Sequence, residues 1–181
     1  YYAGVFGPEN FEDERLRSLK SNRSISEYCW TLNAFSRLHL FSEFPELERG
    51  TYLDSDMMLF ASLNSMYQKA LGSDFVFSLH RCSEKFAGLE KDVGSCNAGF
   101  ASFKNSEIGI TALRRWAELC AESCSAVITE ETYADQKYLD LLLREFPSGT
   151  TSGCLGLNVA PWNIENYTPH AVDDRIKNCS E

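Results

Sequence analysis

Residues Arg49–Phe60 read RGTYLDSDMMLF. The apolar run Thr51-Tyr52-Leu53 stops at two aspartates, Asp54 and Asp56, one residue apart. Met57-Met58-Leu59-Phe60 then turns apolar again. The segment reads as a short buried strand over 51–54 that ends in carboxylates. In a regular strand residues i and i+2 point to the same side, so Asp54 and Asp56 can converge on one point. Two buried carboxylates repel each other, and a divalent cation removes that problem. Mg²⁺ or Mn²⁺ is typically held by one or two carboxylates together with substrate phosphates. The competing reading is a turn in which aspartate caps backbone amides. The apolar flanks speak against an exposed turn.

Outward from this strand, helices and strands alternate. Ser24 and Glu27 fit a capping box. Ile25, Tyr28, Leu32, Phe35 and Leu38 follow at spacings of three and four, which predicts an amphipathic helix over 24–40. Leu63–Leu71 reads as a weak helix. Asp74–His80 reads as a strand rich in aromatic and β-branched residues. A loop over Cys82–Cys96 leads to a second strand, Asn97–Phe103. Ser106 caps a helix to about residue 124, and a further helix runs from about Ala134 to Phe146. Pro147–Gly153 reads as a loop, and Cys154–Asn163 as a strand and a turn. Residues 1–22 read as irregular. The alternation predicts an α/β layered domain, and no boundary splits residues 1–181 into two.

The 181 residues suffice for one domain with a core, and the formal charge of −9 argues against a nucleic-acid partner. No apolar run reaches the length of a membrane span and no secretory signal pattern is present, so neither points to a membrane. A cytoplasmic protein is expected, with peripheral membrane contact left to its parent. Tyr1 rather than Met opens the chain, and the first residues read as mid-domain sequence, so a piece of a longer protein is expected. Seven scattered cysteines without a C-x-x-C pattern read as reduced, mostly buried thiols. His80-Arg81-Cys82 has the residue types of half a metal site, without a visible second half.

Four further segments carry candidate chemistry. Asn97-Ala98-Gly99-Phe100 offers small residues that let a ligand approach backbone, or marks a bulge. Asp135 and Gln136 open a helix, as a cap or as ligands for sugar hydroxyls. Trp162, in Asn158–Asn163, stacks on a sugar or base or closes the core. Arg23, just before the capped helix, joins helix amides in holding a diphosphate or lies in solvent.

Taken in order, RSISEYCWTL, TYLDSDMMLF, NAGFASF, RRWAELC, ADQKYLD and LNVAPWN resemble a bacterial group of nucleotide-diphospho-sugar glycosyltransferases. That group is related to glycosyltransferase family 8 and has the GT-A fold. The resemblance covers roughly residues 20–165. It implies a GT-A-like mixed sheet flanked by helices, incomplete at both ends. It also implies a metal-dependent hexosyltransferase, acting with retention in polysaccharide biosynthesis. The donor would be a nucleotide-diphospho-sugar, with a UDP-sugar favoured, and the acceptor a glycan or other molecule. The implied cofactor is Mn²⁺ or Mg²⁺. Asp56 would be a direct metal ligand, and Asp54 would lie near the ribose and the metal. Asn97, Ala98 and Gly99 would line the sugar and acceptor side. Asp135 and Gln136 would contact the donor sugar near the reacting carbon, and Arg23 would position the diphosphate. The relatives carry a base-binding strand before this region and a histidine segment after it. Neither is legible here, and His170 lies in the wrong context to replace the second. A sugar-1-phosphate nucleotidyltransferase is an alternative, but its Gly-rich basic loop is missing. A non-catalytic carbohydrate-binding module would keep Trp162 without needing Asp54 and Asp56.

Overall fold

The computed structural model describes residues 4–168. Four strands form one mixed sheet: β1 (Arg49–Leu53), β2 (Phe75–Leu79), β3 (Cys96–Lys104) and β4 (Gly149–Thr151), in the order β1-β3-β2-β4. β3 runs antiparallel to both β1 and β2, and β4 lies parallel to β2. The helices are α1 (Glu14–Leu19), α2 (Ile25–Glu43), α3 (Asn64–Lys69), α4 (Leu89–Val93), α5 (Glu107–Glu122) and α6 (Tyr138–Glu145).

One sheet face carries Phe75, Phe77, Ala101 and Phe103, which pack on Ala34, Trp116, Leu139 and Leu142 of α2, α5 and α6. The other face carries Val76 and Phe100 against Met66 and Ala70 of α3 and its end. Phe100 and Phe103, three residues apart, fall on opposite faces as strand alternation requires, and both are apolar because both faces are buried. The register explains more. Phe77 pairs with Ala101, yet the next residue, Ser78, pairs with Asn97. β3 therefore carries extra residues over 98–100, a bulge of the kind found beside ligand sites.

Both predicted caps form. Ser24 accepts from the Glu27 amide while Glu27 reaches back to Ser24, and Ser106 accepts from the Gly109 amide. The predicted strands at 51–54, 74–80 and 97–103 match β1, β2 and β3 within a few residues. Elsewhere the expectations need correction. The region 1–22 contains α1, capped by Asp13, which buries Leu16 against Tyr28 and Leu32. The 147–153 loop contains β4. No strand forms over 154–163; the segment is a run of turns, with Asn158 at φ 64° in the left-handed region. The last helix starts at Tyr138, because Ala134 also has a left-handed φ of 48° and 135–137 form turns. The 82–96 loop holds α4. Ile25, expected on the buried stripe of α2, is exposed. Among the described residues, no helix is long and apolar enough to cross a membrane. His170 and Cys179 lie outside the described residues.

Candidate active site

A cleft of about 450 Å³ opens at the end of the sheet where β1 and β2 finish and β3 begins. It is lined by Asp54 past β1, His80 past β2, and Asn97, Ala98 and Gly99 in the β3 bulge. Cys29, Trp30 and Asn33 of α2, Tyr52 of β1, Leu89 and Val93 of α4, Tyr133 to Gln136 before α6, and Trp162 complete it. Asp54 stays close to the sheet because its amide donates to the Gly99 carbonyl at 3.0 Å. The absence of a side chain at Gly99 is what admits the neighbouring polar groups. A Cβ there would stand 2.8 Å from both Asp54 Oδ2 and Asn97 Oδ1.

Asp135 is the more deeply buried of the two carboxylates in the cleft, 3% exposed. Its Oδ2 accepts from Asn33 Nδ2 at 2.7 Å, and its backbone carbonyl accepts from Trp116 Nε1 at 2.8 Å. Burial raises its carboxyl pKa to about 6, and the Asn33 hydrogen bond and the Arg37 charge pull the other way. Arg37 lies behind it, buried between the rings of Tyr52 and Trp116 at 4.5 and 4.9 Å. Burial lowers the Arg37 pKa to about 10. Its Nη1 donates to the Asn33 carbonyl at 3.0 Å, while Nε and Nη2 have no partner among the described residues. Burial, then a hydrogen bond to Asp54, pushes the Tyr52 phenol up.

A second network fixes the bulge. Gln136 Oε1 accepts from Asn97 Nδ2 at 3.2 Å and from the Ala98 amide at 3.3 Å, and its Nε2 donates to the Val93 carbonyl at 3.0 Å. His80 Nδ1 lies 3.0 Å from the Gly94 carbonyl and Nε2 lies 3.3 Å from Asn97 Nδ2. This pairing fits the neutral ring with hydrogen on Nδ1, and burial lowers the His80 pKa in the same sense. Trp162 packs edge-on to His80 at 5.6 Å. Its turn is tied to the end of β2 by Asn163, whose Nδ2 donates to the His80 carbonyl at 2.6 Å.

Asp54, Asn97, Ala98, Gly99, Asp135, Gln136 and Trp162 thus meet in one cleft. Arg23 does not join them. Its guanidinium donates to the Cys120 carbonyl at 2.8 Å and to the Ala121 carbonyl at 2.6 Å, closing the C-terminal end of α5, and it also bonds Thr31. Asp56 is exposed on the turn after β1 and does not line the cleft, because the strand ends before it and the alternation stops. The apolar flank that spoke against an exposed turn is itself exposed, with Met58 at 74% and Phe60 at 73%. Gln136 holds the bulge and has spent both its carbonyl lone pairs on protein donors, so it positions Asn97 and Ala98. His80-Arg81-Cys82 does not act as one unit. Arg81 donates to the Cys154 carbonyl at 3.0 Å, and the Cys82 amide donates to Glu90 at 2.9 Å.

Asn33, Arg37, Tyr52 and Trp30 are not legible as site residues in the sequence, and His80 is legible only as half of a metal site. Asn33 and Arg37 are spaced i, i+4 on α2 and sit among its buried residues, where polar types normally signal the solvent face.

The donor chemistry suits a hard divalent cation, since Asp54 offers carboxylate oxygen beside the space left by Gly99. Asp135 is the other carboxylate that lines the cleft, while Asp56, two residues on from Asp54, does not line it. Among the described residues, no three His, Cys, Asp or Glu side chains cluster as a closed metal site. The protein-derived set is therefore one or two carboxylates, which fits Mg²⁺ or Mn²⁺ completed by phosphate oxygens.

No family model matches this chain, and no solved structure matches it. It is 32% identical over 173 residues to YfnF of Bacillus subtilis (strain 168), described as an uncharacterized protein, covering 91% of this chain and 56% of YfnF. It is 30% identical over 167 residues to YfnD of the same strain, also described as uncharacterized, covering 91% of this chain and 54% of YfnD. The chain spans about half the length of these curated relatives.

Proposed function

We propose that the cleft binds a nucleoside-diphosphate sugar with a divalent cation and transfers the sugar to an acceptor hydroxyl, on a sheet of the GT-A type. One observation carries this reading. A carboxylate at the end of β1, Asp54, faces the same cleft as the buried Asp135, and among the described residues no Lys or Arg lines that cleft. A bare diphosphate would find two carboxylates and no cationic side chain, so its charge calls for a metal ion. When bound, Mn²⁺ or Mg²⁺ supplies Lewis-acid stabilisation of the leaving diphosphate. Asp54 would hold it, with the phosphate oxygens completing its coordination.

The protein's own groups supply the rest. Asp135, ionised above pH about 6, places negative charge where the ring of the departing sugar becomes positive. Asn33 fixes the orientation of that carboxylate, and Gln136 and His80 fix Asn97 and Ala98 beside it. Retention of anomeric configuration, implied by the resemblance, remains part of the proposal.

Titration calorimetry with UDP tests the metal–nucleotide half. UDP is expected to bind in the presence of Mn²⁺, not in its absence, and Asp54→Ala is expected to weaken binding at least about tenfold, as loss of one charged ligand contact. Metal-independent UDP binding, or an Asp54→Ala protein that binds as well as wild type, would sink the assignment. Gly99→Ala is the steric counterpart. Its new methyl collides with Asp54 and Asn97, and the same titration should show a loss of similar size while Tm changes little.

A further inference from the structure

Both polar atoms of the Asn97 side chain have protein partners. Oδ1 accepts from the Gly99 amide at 2.9 Å, which fixes the orientation of the group. Nδ2 then has two hydrogens to place. One goes to Gln136 Oε1 at 3.2 Å, an oxygen that also accepts from the Ala98 amide while Gln136 Nε2 donates to the Val93 carbonyl. The other points at His80 Nε2, 3.3 Å away. On the far side of the ring, Nδ1 lies 3.0 Å from the Gly94 carbonyl, which can only accept. One form of the imidazole satisfies both contacts: neutral, with hydrogen on Nδ1 and a lone pair on Nε2.

A proton added at Nε2 would meet the Asn97 NH₂, donor against donor. Turning the Asn97 amide over does not rescue the pair. It would set NH₂ against the Gly99 amide and oxygen against Gln136 Oε1. The network therefore closes with the neutral ring and breaks with the charged one. His80 is 3% exposed, so solvent has little room to take the extra donor. The carboxylates that bear on the ring are Glu90 of α4 and Asp140 of α6. Each is engaged elsewhere: Glu90 accepts from the Cys82 amide at 2.9 Å, and Asp140 from the Ser95 amide and hydroxyl at 2.8 and 2.6 Å. Arg81, next in the chain, donates to the Cys154 carbonyl at 3.0 Å. The 158–163 turn, which sets Trp162 against the ring, contains no charged residue. Burial outweighs these carboxylates and the Gly94 and Ser95 carbonyls, and it holds the His80 pKa below its ordinary 6.5.

The held group matters because of what it holds in turn. Asn97 fixes the Gly99 amide, and the Gly99 carbonyl accepts from the Asp54 amide at 3.0 Å. We infer that His80 is the positioning residue of the β3 bulge and an acid-sensitive latch: its neutral ring holds Asn97, Gly99 and Asp54 in register, and a proton on Nε2 releases them while the rest of the fold stays. That release also weakens metal-dependent nucleotide binding is a consequence that rests on the transferase proposal; the latch itself does not.

NMR on the ¹⁵N-labelled chain, titrated from about pH 8 to about pH 5, tests the latch across the range where histidine titrates. At the upper end the His80 ring nitrogens should report hydrogen on Nδ1. As pH falls, the Asn97 side-chain amide and the Gly99 amide should shift with the same midpoint as the His80 ring, below 6.5. Asp135, with its pKa of about 6, titrates nearby, so two variants separate the groups. His80→Gln, whose amide oxygen is an acceptor that does not titrate, should remove the transition at Asn97 and Gly99. Asp135→Asn should keep it. If His80→Gln does not fold, wild type and Asp135→Asn decide. Hydrogen on Nε2 at the upper end overturns the inference, as does a ring that stays neutral throughout. So does a His80 titration that leaves Asn97 and Gly99 unmoved, a transition that survives in His80→Gln or vanishes in Asp135→Asn, or collapse of the whole spectrum at the His80 midpoint. The titration contains no nucleotide, so its outcome and that of the UDP titration are read separately.

Discussion

Asp135→Asn is expected to lower the proposed sugar transfer by about 10²–10³-fold or more and, at about pH 8, to make the protein more stable by about 3 kcal/mol. The two effects share one cause. Burial raises the carboxyl from an ordinary value of 3.8 to about 6, a difference worth about 3 kcal/mol. The sign follows from linkage. A carboxyl whose folded pKa is raised contributes its stability below the unfolded pKa, and that contribution is lost as pH rises through the folded value. Above about pH 6 the wild-type fold therefore carries a buried anion at a cost, and the neutral amide removes it. The attraction between Asp135 and Arg37 is lost as well, but burial is the larger influence. Asn can still accept from Asn33 Nδ2, so the local geometry has a substitute. Urea titrations at about pH 8 and about pH 4 should show the gain at the higher pH and its disappearance at the lower. Transfer should fall by about 10²–10³-fold or more, the size found when one preorganised electrostatic group is removed. A variant less stable than wild type at the higher pH would mean that pairing with Arg37 dominates, and the cost assigned to the buried anion would be wrong.

Trp116→Ala is expected to cost about 3–5 kcal/mol, a large part of the 5–15 kcal/mol available to a typical domain. Trp116 is fully buried and stacks on Phe103 with centroids 5.9 Å apart. It also faces Arg37 and donates to the Asp135 carbonyl. Trp116→Phe separates packing from the hydrogen bond. Most of the ring remains, but the Asp135 carbonyl loses its donor in a buried setting, a cost of about 1–3 kcal/mol. Denaturant melts of the two variants should rank wild type, Phe and Ala in falling order. Transfer by the Phe variant should fall further than its stability alone accounts for, because Asp135 is no longer anchored. A Phe variant as stable and as active as wild type would refute the anchoring role.

The strands and the long helices were legible because each is a local pattern. Ser24 with Glu27, and Ser106 before its helix, mark starts that the backbone obeys. The cleft was legible in part. Asp54, Asn97 and Asp135 each lie next to an element end, where sequence reasoning expects ligands. Arg23 and Asp56 misled for separate reasons. The nearest orphan carbonyls to Arg23 belong to α5, about a hundred residues away, and no local pattern announces that. Alternation carries Asp56 to the Asp54 side only if the strand continues, and it ends at Leu53. Arg37 and Asn33 were hidden in an apolar stripe, since burial of a polar group is decided by partners that the helix does not contain.

The hydrogen bond from Asn33 to Asp135 joins residues 102 positions apart, and that from Asn163 to the His80 carbonyl joins residues 83 apart. Closing such long loops has an entropic cost that is recovered only when the surrounding core has formed. The cleft is consequently a late product of folding, and no small fragment of the chain carries it. Its contributing segments also open together or not at all, so a molecule seated there acts as a brace. Slowed amide exchange would then spread through α2, β1, β3 and α6 and not stop at the residues it touches.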